Sequence, residues 1–222
     1  MDAIRVKDLY DLNHTRAADM LAACEYPWEA LAKIKETVLA IGAALDPETY
    51  DQPSEGVWIA KSASIAPSAS IAAPCIIGEH TEVRPGAFLR GSILVGDDCV
   101  VGNSTELKNC ILFDHVQVPH YNYVGDSILG YYAHMGAGAI TSNVKGDSKK
   151  VVVHGEQNYE TGCKKFGAML GDHAEIGCNS VLNPGTIIGR NTQVYPLSSV
   201  RGAIPANSIV KGERGVFSKR EE

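Results

Sequence analysis

The stretch that decides the fold runs from Ile59 to Val118 and reads IAKSASIAPSASIAAPCIIGEHTEVRPGAFLRGSILVGDDCVVGNSTELKNCILFDHVQV. Taken in groups of six, it opens every group on a large apolar residue, at Ile59, Ile65, Ile71, Ile77, Val83, Leu89, Val95, Val101, Leu107 and Phe113. A period of six cannot keep one face of a helix with 3.6 residues per turn. Short strands joined by tight corners can use it, and a fixed period of this kind is typical of a parallel β-helix. The pattern therefore predicts an all-β solenoid whose first residue in each group points inward.

The coil continues toward the C-terminus with two interruptions. The aliphatic phase fails at Pro119 and resumes at Leu129, and a longer insertion is predicted over 143–165. The groups of six then return at Leu170, Ile176, Leu182, Ile188, Val194 and Val200. We expect the β-helix to occupy residues 57–212 and to be followed by a charged tail, 213–222. Because interruptions in a repeat map to loops, and loops on a rigid scaffold often carry sites, we expect function near the two interruptions.

Residues 1–50 are of a different kind. Pro27 can occupy the first position of a helix, and apolar residues follow it at spacings of three and four, at Trp28, Leu31, Ile34, Val38, Ile41 and Leu45. A shorter helix is predicted around Thr15–Cys24. We expect a small N-terminal helical cap that covers the strand edges and open apolar end of the first coil. The alternative is a module that binds a partner or a substrate. Asp46–Gly56, with two prolines and four acids, is predicted to be a linker.

Composition limits the classes of partner. The formal net charge is -6 and the pI is about 5.6, which disfavours nucleic acid or an anionic membrane as the main partner. No apolar run approaches membrane-spanning length, and Met1–Arg5 does not begin an apolar signal region. The six cysteines form no C-x-x-C pair. We therefore expect a cytoplasmic protein in a reducing compartment, without a zinc finger and without a bound metal.

Three residues near the first interruption could form a site. His120 lies beside two tyrosines, and a histidine can act as a general base because it titrates near neutral pH; it could equally be a hydrogen-bonded corner residue. Arg84 and Lys108 directly follow the first residue of their groups and should point outward. Positions 84, 108 and 120 differ by multiples of six, so we expect the three residues to share one phase of the six-residue repeat. Stacked coils could then place two cations and a histidine around a phosphate, although solvated surface charge is the alternative.

Four segments carry a resemblance to a known family. They read EVRPGA at Glu82–Ala87, STELK at Ser104–Lys108, HYNYVGD at His120–Asp126 and GAGAITSN at Gly136–Asn143. In this order and spacing they resemble the left-handed β-helix acyltransferases. In particular, they resemble the acetyltransferase half of the bacterial bifunctional glucosamine-1-phosphate acetyltransferase/N-acetylglucosamine-1-phosphate uridyltransferase. The resemblance covers about residues 77–212 and implies left-handed coils, an exception to the right-handed crossover rule.

The resemblance implies a reaction and an assembly. His120 matches the general base that takes a proton from a sugar amine as the amine attacks the thioester of acetyl-CoA. Asn143 matches an asparagine that contacts both the sugar and the acetyl group. Proteins of this family pack as homotrimers with the site at the seam between neighbours. We therefore expect an acetyl-CoA-dependent acyltransferase that acts on an amino-sugar phosphate or a sugar-nucleotide-like acceptor.

The resemblance also implies roles in binding. Arg84 and Lys108 match residues that hold the sugar phosphate, Lys149 matches a loop lysine near the phosphate, and Tyr123 matches a tyrosine of the sugar site.

The chain departs from the family pattern at several positions. His134 replaces an asparagine of the sugar site, Val144 replaces a tyrosine, and Cys178 replaces a serine that helps to hold acetyl-CoA. Lys211 could meet the phosphates of coenzyme A or belong to a solvated tail. No Gly-rich nucleotide loop is found in residues 1–50, so we expect the resemblance to be confined to the acetyltransferase half.

Two alternatives remain. A γ-carbonic-anhydrase-like zinc enzyme would use His80, His115 and His120, since neutral imidazoles suit Zn²⁺. The spacing of 35 residues between His80 and His115 differs from two full coils, however, and puts the two residues in different phases. The second alternative is a non-catalytic trimeric binding or scaffold protein that kept the coil and lost the chemistry.

Overall fold

Short strands stacked at the predicted period form most of the structure, a computed structural model that describes residues 3–219. The helices are α1 (Val6–Leu9), α2 (Ala18–Ala22) and α3 (Ile34–Ala43), with 3₁₀ turns at Leu12–His14, Pro27–Ala30 and Gly212–Arg214. The strands are β1 (Tyr50–Ser54), β2 (Val57–Ala60), β3 (Ser64–Ile65), β4 (Ser70–Ile71), β5 (Cys75–Ile77), β6 (Glu82–Val83), β7 (Phe88–Leu89), β8 (Ile93–Val95), β9 (Val100–Asn103), β10 (Glu106–Leu112), β11 (Gln117–His120), β12 (Tyr123–Leu129), β13 (His134–Met135), β14 (Ile140–Thr141), β15 (Val152–His154), β16 (Asn158–Glu160), β17 (Ala168–Leu170), β18 (Glu175–Ile176), β19 (Val181–Leu182), β20 (Thr186–Ile188), β21 (Gln193–Val194), β22 (Ser199–Val200), β23 (Ala203–Ile204), β24 (Ser208–Val210) and β25 (Val216–Ser218).

The coil has three faces of parallel strands. Face A contains β2, β5, β8, the second halves of β10 and β12, β17, β20 and β23. Face B contains β3, β6, β9, β11, β13, β18, β21 and β24, and face C contains β4, β7, the first halves of β10 and β12, β14, β19 and β22. We name the corners AB, BC and CA after the faces they join. Ile77 pairs with Val95, eighteen residues later, and both side chains are buried. The predicted fold class, a left-handed parallel β-helix of hexapeptide repeats with a small N-terminal helical cap, is confirmed.

The coil shortens by one residue at two successive CA corners. Ile93 pairs with Cys110, and Cys110 pairs with Ser127, each seventeen residues later rather than eighteen. The shortened corners contain Asn109 and Asp126, both with a left-handed backbone (φ 49). Asparagine and aspartate tolerate this region better than most residues. The seven-residue strands β10 and β12 run across these two corners.

The shortened corners correct one predicted inward residue. Val95 aligns with Leu112 and not with Phe113. Phe113 instead is buried beneath the N-terminal segment, with its ring centroid 5.1 Å from that of Tyr10. Val118, six residues after Leu112, aligns with Val101. The period of six was predicted to fail at Pro119. It is already broken at the CA corner that contains Asn109.

The N-terminal segment lies along face A rather than over the open end of the coil, which corrects the expected position of the cap. Triplets such as Cys75–Ile77 and Ile93–Val95 are buried at every position, as expected of strands that are covered on both sides. Helix α3 packs on β5, β8 and β10 of this face. Trp28 contacts Phe166 at 6.0 Å between ring centroids. The helices therefore bury the outer surface of face A.

The predicted linker contains a strand. Within Asp46–Gly56, β1 pairs antiparallel with β2, with Tyr50 opposite Ala60. This pairing covers the free strand edge of face A in the first coil, which would otherwise be open to other chains.

The insertion 143–165 folds back as the hairpin of β15 and β16, with Val151 and Val153 buried. Of the predicted tail 213–222, the last three residues lie outside the described residues, as do Met1 and Asp2. Among residues 3–219, no helix has the length and apolar character needed to cross a lipid bilayer.

Candidate acyl-transfer site

His120 projects from a fixed BC corner at the end of β11. Its side chain is exposed, and no described residue hydrogen-bonds with the imidazole. Its backbone N–H donates to Asn122 Oδ1 at 3.1 Å, and its carbonyl accepts from Gly138 N at 3.0 Å. Asn122 is only 2% exposed, and its Nδ2 donates to the carbonyls of Gly136 (2.9 Å) and Ala139 (3.1 Å). These bonds tie the corner to the next coil, so the imidazole stands on a rigid base.

A cluster of polar side chains surrounds Asp126 at the CA corner. The Asp126 side chain is 5% exposed. Lys108 Nζ donates to both carboxylate oxygens, at 2.8 and 2.9 Å. Asn109 Nδ2 donates to Oδ1 at 2.9 Å, and Asn143 Nδ2 donates to Oδ2 at 2.6 Å. A buried carboxylate needs such partners, and Lys108 supplies the opposite charge.

Tyr123 lies along face C between the two corners. Its hydroxyl accepts from Asn143 Nδ2 at 3.1 Å. A Cβ atom at Gly125 would collide with this hydroxyl, so the glycine permits the tyrosine ring to lie close to the coil. Burial, reinforced by the charge of Asp126, raises the pKa of the Tyr123 phenol. The phenol therefore stays protonated at neutral pH and can donate a hydrogen bond.

Face C separates His120 from the Asp126 cluster. Tyr123 begins β12 and Asp126 lies three residues further, which spans about 10 Å at 3.3 Å per residue. Lys108 aligns with Gly125 on the neighbouring strand. The structure thus brings Lys108, Tyr123 and Asn143 together, with His120 at the other end of the same face.

Arg84 and Lys108 each directly follow an inward residue, as predicted, but on different faces, and His120 does not share their position in the repeat. The predicted common phase of the three residues is therefore wrong. Arg84 follows the inward Val83 on face B, and Lys108 follows Leu107 on face C. Because the coil shortens after Lys108, His120 comes two positions after its inward residue instead of one. Arg84 aligns with Pro119 two coils away, about 10 Å at 4.8 Å per coil, and its Nη2 pairs with Glu82 Oε2 at 3.0 Å.

The side chains of two further predicted substrate residues form no hydrogen bond with the described residues of the Asp126 cluster. His134 is on face B, where its Nδ1 hydrogen-bonds with Glu175 Oε2 at 2.8 Å. Lys149 is exposed in the insertion, where its backbone N–H donates to Asp147 Oδ1 at 3.1 Å.

The two predicted coenzyme residues lie further along the BC corner. Cys178 is exposed and occupies the same position in its coil as His120, two coils away, about 10 Å. Lys211 is four coils from Pro119, about 19 Å. Its Nζ lies 5.5 Å from the ring centroid of Tyr195 and 5.4 Å from that of Phe217. His120, Cys178 and Lys211 therefore follow one another along the BC corner.

Gly136 lies in the quoted segment of small residues and has a packing role. A Cβ atom there would come 2.8 Å from the backbone nitrogen of Cys178 and 3.0 Å from its sulfur. The glycine is thus required by the packing of the next coil of the same chain.

The three histidines of the zinc alternative do not converge within the chain. His80 and His115 share one AB-corner position two coils apart, because the shortened corner removes the predicted phase difference. His115 stacks on Tyr132 at 4.5 Å, and His120 lies at the BC corner at the far end of β11. Residues 3–219 contain no group of three or more His, Cys, Asp or Glu side chains that could hold a metal ion. No observation favours the zinc alternative.

Sequence reasoning missed Asp126, Asn109 and Asn122. Asp126 and Asn122 lie in a quoted segment but received no role. Their signal was positional: each is a short polar residue in a coil of apolar and small residues, and buried polar groups need partners. The partners were not identifiable, because they depend on the shortened register at the CA corner.

The stacked strands and their six-residue period define the fold class, a hexapeptide-repeat β-helix. Comparisons with known proteins show what the sequence is similar to. The GMPPB C-terminal domain family matches residues 71–159. The bifunctional protein GlmU of Methanococcus maripaludis is 33% identical over 138 residues, 61% of this chain and 34% of the relative. The bifunctional sugar-1-phosphate nucleotidylyltransferase/acetyltransferase of Sulfurisphaera tokodaii is 31% identical over 130 residues, 58% of this chain and 31% of the relative.

The predicted resemblance to left-handed β-helix acyltransferases, and to the bifunctional GlmU proteins among them, is therefore confirmed. The chain spans about a third of the length of these relatives. Among solved structures, the UDP-N-acetylglucosamine acyltransferase of Francisella novicida is similar with a TM-score of 0.47 and 15% identity. That match covers 74% of this chain and 66% of the other.

Proposed function

We propose that the chain is an acetyl-CoA-dependent acyltransferase that acts on an amino-sugar phosphate or a sugar-nucleotide-like acceptor. The observation that carries the proposal is the exposed imidazole of His120 at one end of face C. Along the same face, Tyr123, Lys108 and Asn143 supply polar groups. The relative from Sulfurisphaera tokodaii is named as an acetyltransferase and as an enzyme of sugar-1-phosphates, which supports the same chemistry here.

The proposed mechanism is direct transfer. His120 takes a proton from the acceptor amine or hydroxyl as that group attacks the thioester carbonyl. The carbonyl oxygen gains negative charge, which backbone N–H groups of the corner would stabilise. The intermediate collapses with loss of the coenzyme A thiolate, which takes up the proton from the imidazolium. The new amide or ester and free coenzyme A leave the site, and His120 is neutral again.

The coenzyme is proposed to lie along the BC corner. An extended thioester arm that reaches His120 would pass Cys178 and end near Lys211, about four coils away. The ammonium of Lys211 suits the phosphates of coenzyme A, since a cation forms strong hydrogen bonds with phosphate oxygens. Arg84 and Lys149 are proposed to hold acceptor phosphates and His134 to contact the acceptor.

Replacing Lys211 with alanine is expected to raise the KM for acetyl-CoA about tenfold, because one charge-assisted hydrogen bond of roughly 1.5 kcal/mol is lost. The KM for the acceptor should stay the same. Lys35→Ala, at an exposed position of helix α3, is the matched control and should change neither constant. Steady-state kinetics with acetyl-CoA as the varied substrate give the answer. An unchanged KM in Lys211→Ala would remove Lys211 from the coenzyme site.

We further propose a homotrimer with the site at the seam between neighbouring chains. The N-terminal segment covers face A, which leaves faces B and C, and the BC corner between them, for a neighbour. Light scattering coupled to size-exclusion chromatography measures the mass in solution. A mass of one chain together with full activity contradicts the shared site.

The proposed activity is tested by measuring free coenzyme A thiol released from acetyl-CoA. Glucosamine-1-phosphate and a panel of amino-sugar nucleotides serve as acceptors, and the product is identified by mass spectrometry. We expect thiol release that depends on an acceptor, with a product heavier by one acetyl group. A folded protein that binds acetyl-CoA by calorimetry but transfers to no acceptor would favour a binding protein over an enzyme.

A further inference from the structure

Asp126 fixes the orientation of the Asn143 amide. An ionised carboxylate can only accept hydrogen bonds, so the group that faces Asp126 Oδ2 at 2.6 Å must be the NH₂ of Asn143. The second N–H of that NH₂ points at the Tyr123 hydroxyl at 3.1 Å. Both amide protons are therefore used inside the protein. Asn143 Oδ1 accepts from no described residue and remains able to accept.

The same hydrogen bonds determine which way the Tyr123 hydroxyl donates and accepts. Its oxygen accepts from Asn143, so its O–H points elsewhere, and no described residue accepts that proton. Lys108 directs N–H groups to Oδ1 and Oδ2 of Asp126 and has a third N–H in reserve. Face C thus offers an acceptor from Asn143 and donors from Tyr123 and Lys108.

The carboxylate also connects this face to the N-terminal segment. Asn109 Nδ2 donates to Asp126 Oδ1 at 2.9 Å and to the carbonyl of Leu31 at 3.2 Å. Leu31 directly follows the 3₁₀ turn Pro27–Ala30, which packs over face A. The segment that covers face A therefore supports the corner that holds Lys108 and Asn143.

We propose that Asp126 is a positioning residue for the acceptor: it holds Lys108, Asn109 and Asn143 so that face C presents one hydrogen-bond acceptor and two donors in a fixed pattern. This inference rests on the proposed function. The pattern selects an acceptor with a polar group, separate from the one that reacts at His120, that donates to Asn143 Oδ1 while neighbouring oxygens accept from Tyr123 and Lys108. A sugar with an amino or hydroxyl group flanked by oxygens has that chemistry.

The kinetic test uses Asp126→Asn, which keeps the shape and removes the charge. We expect kcat/KM for the acceptor to fall about 10–100-fold, because the bonds to a charged group are lost, while the KM for acetyl-CoA stays the same. Asp172→Asn is the matched control. Asp172 is also nearly buried (6% exposed side chain) and paired, with Arg190 at 3.1 Å, but it lies at the AB corner. It should destabilise the fold without changing either constant.

A second readout does not depend on activity. In protein labelled with ¹³C at the tyrosine ζ carbon, the Tyr123 signal is identified by its absence in Tyr123→Phe. The charge of Asp126 contributes to the raised pKa of Tyr123, so Asp126→Asn should lower that pKa and Asp172→Asn should not. If wild-type protein transfers no acetyl group while this shift occurs, the proposed function fails and the network stands.

Three results would overturn the positioning role. One is a wild-type kcat/KM for the acceptor in folded Asp126→Asn, and another is an equal loss in Asp126→Asn and Asp172→Asn. The third is an unchanged Tyr123 pKa in Asp126→Asn. If Asp126→Asn does not fold, Asn109→Gly replaces it, because glycine suits the left-handed backbone at this position. That variant removes one donor and should lower the same constant several-fold; an unchanged constant there also overturns the role.

Discussion

Replacing His120 with alanine is expected to lower kcat for acetyl transfer by about 10²–10⁴-fold, the usual contribution of a positioned general base. The imidazole is exposed and hydrogen-bonds with no described residue, so its loss removes no hydrogen bond from the coil. The backbone bonds of the corner, from His120 N–H to Asn122 and from Gly138 to the His120 carbonyl, do not depend on the side chain. Activity should fall while the melting temperature stays the same.

The measurement is the acceptor-dependent release of coenzyme A thiol, with thermal unfolding followed by circular dichroism. His80→Ala is the matched control, since His80 is also an exposed histidine at a corner of the coil, but at the AB corner. It should retain wild-type kcat. Full activity in His120→Ala eliminates His120 as the base. An equal loss in His80→Ala would show that the effect is not specific to the BC corner.

The inward residues show how far the sequence could specify the fold. A period of six is a direct consequence of three short strands and three corners per coil, so Val83, Leu89 and Val95 could be assigned without knowing any contact. The shortened corner was not visible in the same way. Both Leu112 and Phe113 are apolar, and Phe113 fits the period of six better. Only the neighbouring strands, which align Leu112 with Val95, decide between them.

The predictions of the cap and of the site were incomplete for the same reason, because the sequence does not show which residues are in contact. The uninterrupted apolar triplets of face A, such as Cys75–Ile77, indicate burial on both sides, but they do not tell which segment covers them. The interruption of the repeat already indicated His120, and the resemblance carried by the segment HYNYVGD added Tyr123. Asp126 in the same segment acts through Lys108 and Asn143, which lie eighteen and seventeen residues away in sequence. Those partners follow from the register of the coil and not from local pattern.

Replacing Gly102 with alanine is expected to destabilise the fold and to disturb the BC corner together. Gly102 is buried in β9, and a Cβ atom there would overlap the backbone carbonyl of Pro119 in the next coil. A backbone group cannot move aside as a flexible side chain can, so β11 must shift. Overpacking of this kind costs about 3 kcal/mol, which lowers the melting temperature of a chain of this size by roughly 6–12 °C. Because Pro119 directly precedes His120, kcat should also be lower than in wild type when it is measured at a temperature well below the new melting temperature.

Gly146→Ala provides the control for this prediction, because a Cβ atom at Gly146 has nothing within 4 Å. Its free energy of unfolding should stay within about 0.5 kcal/mol of wild type, and kcat should be unchanged. Calorimetry and the thiol-release assay on the three proteins separate the effects. A Gly102→Ala protein with the melting temperature of wild type would contradict the close approach of β9 and β11. A lower melting temperature with full activity would show instead that the position of His120 does not depend on the carbonyl before it, and the rigid corner would lose its part in the mechanism.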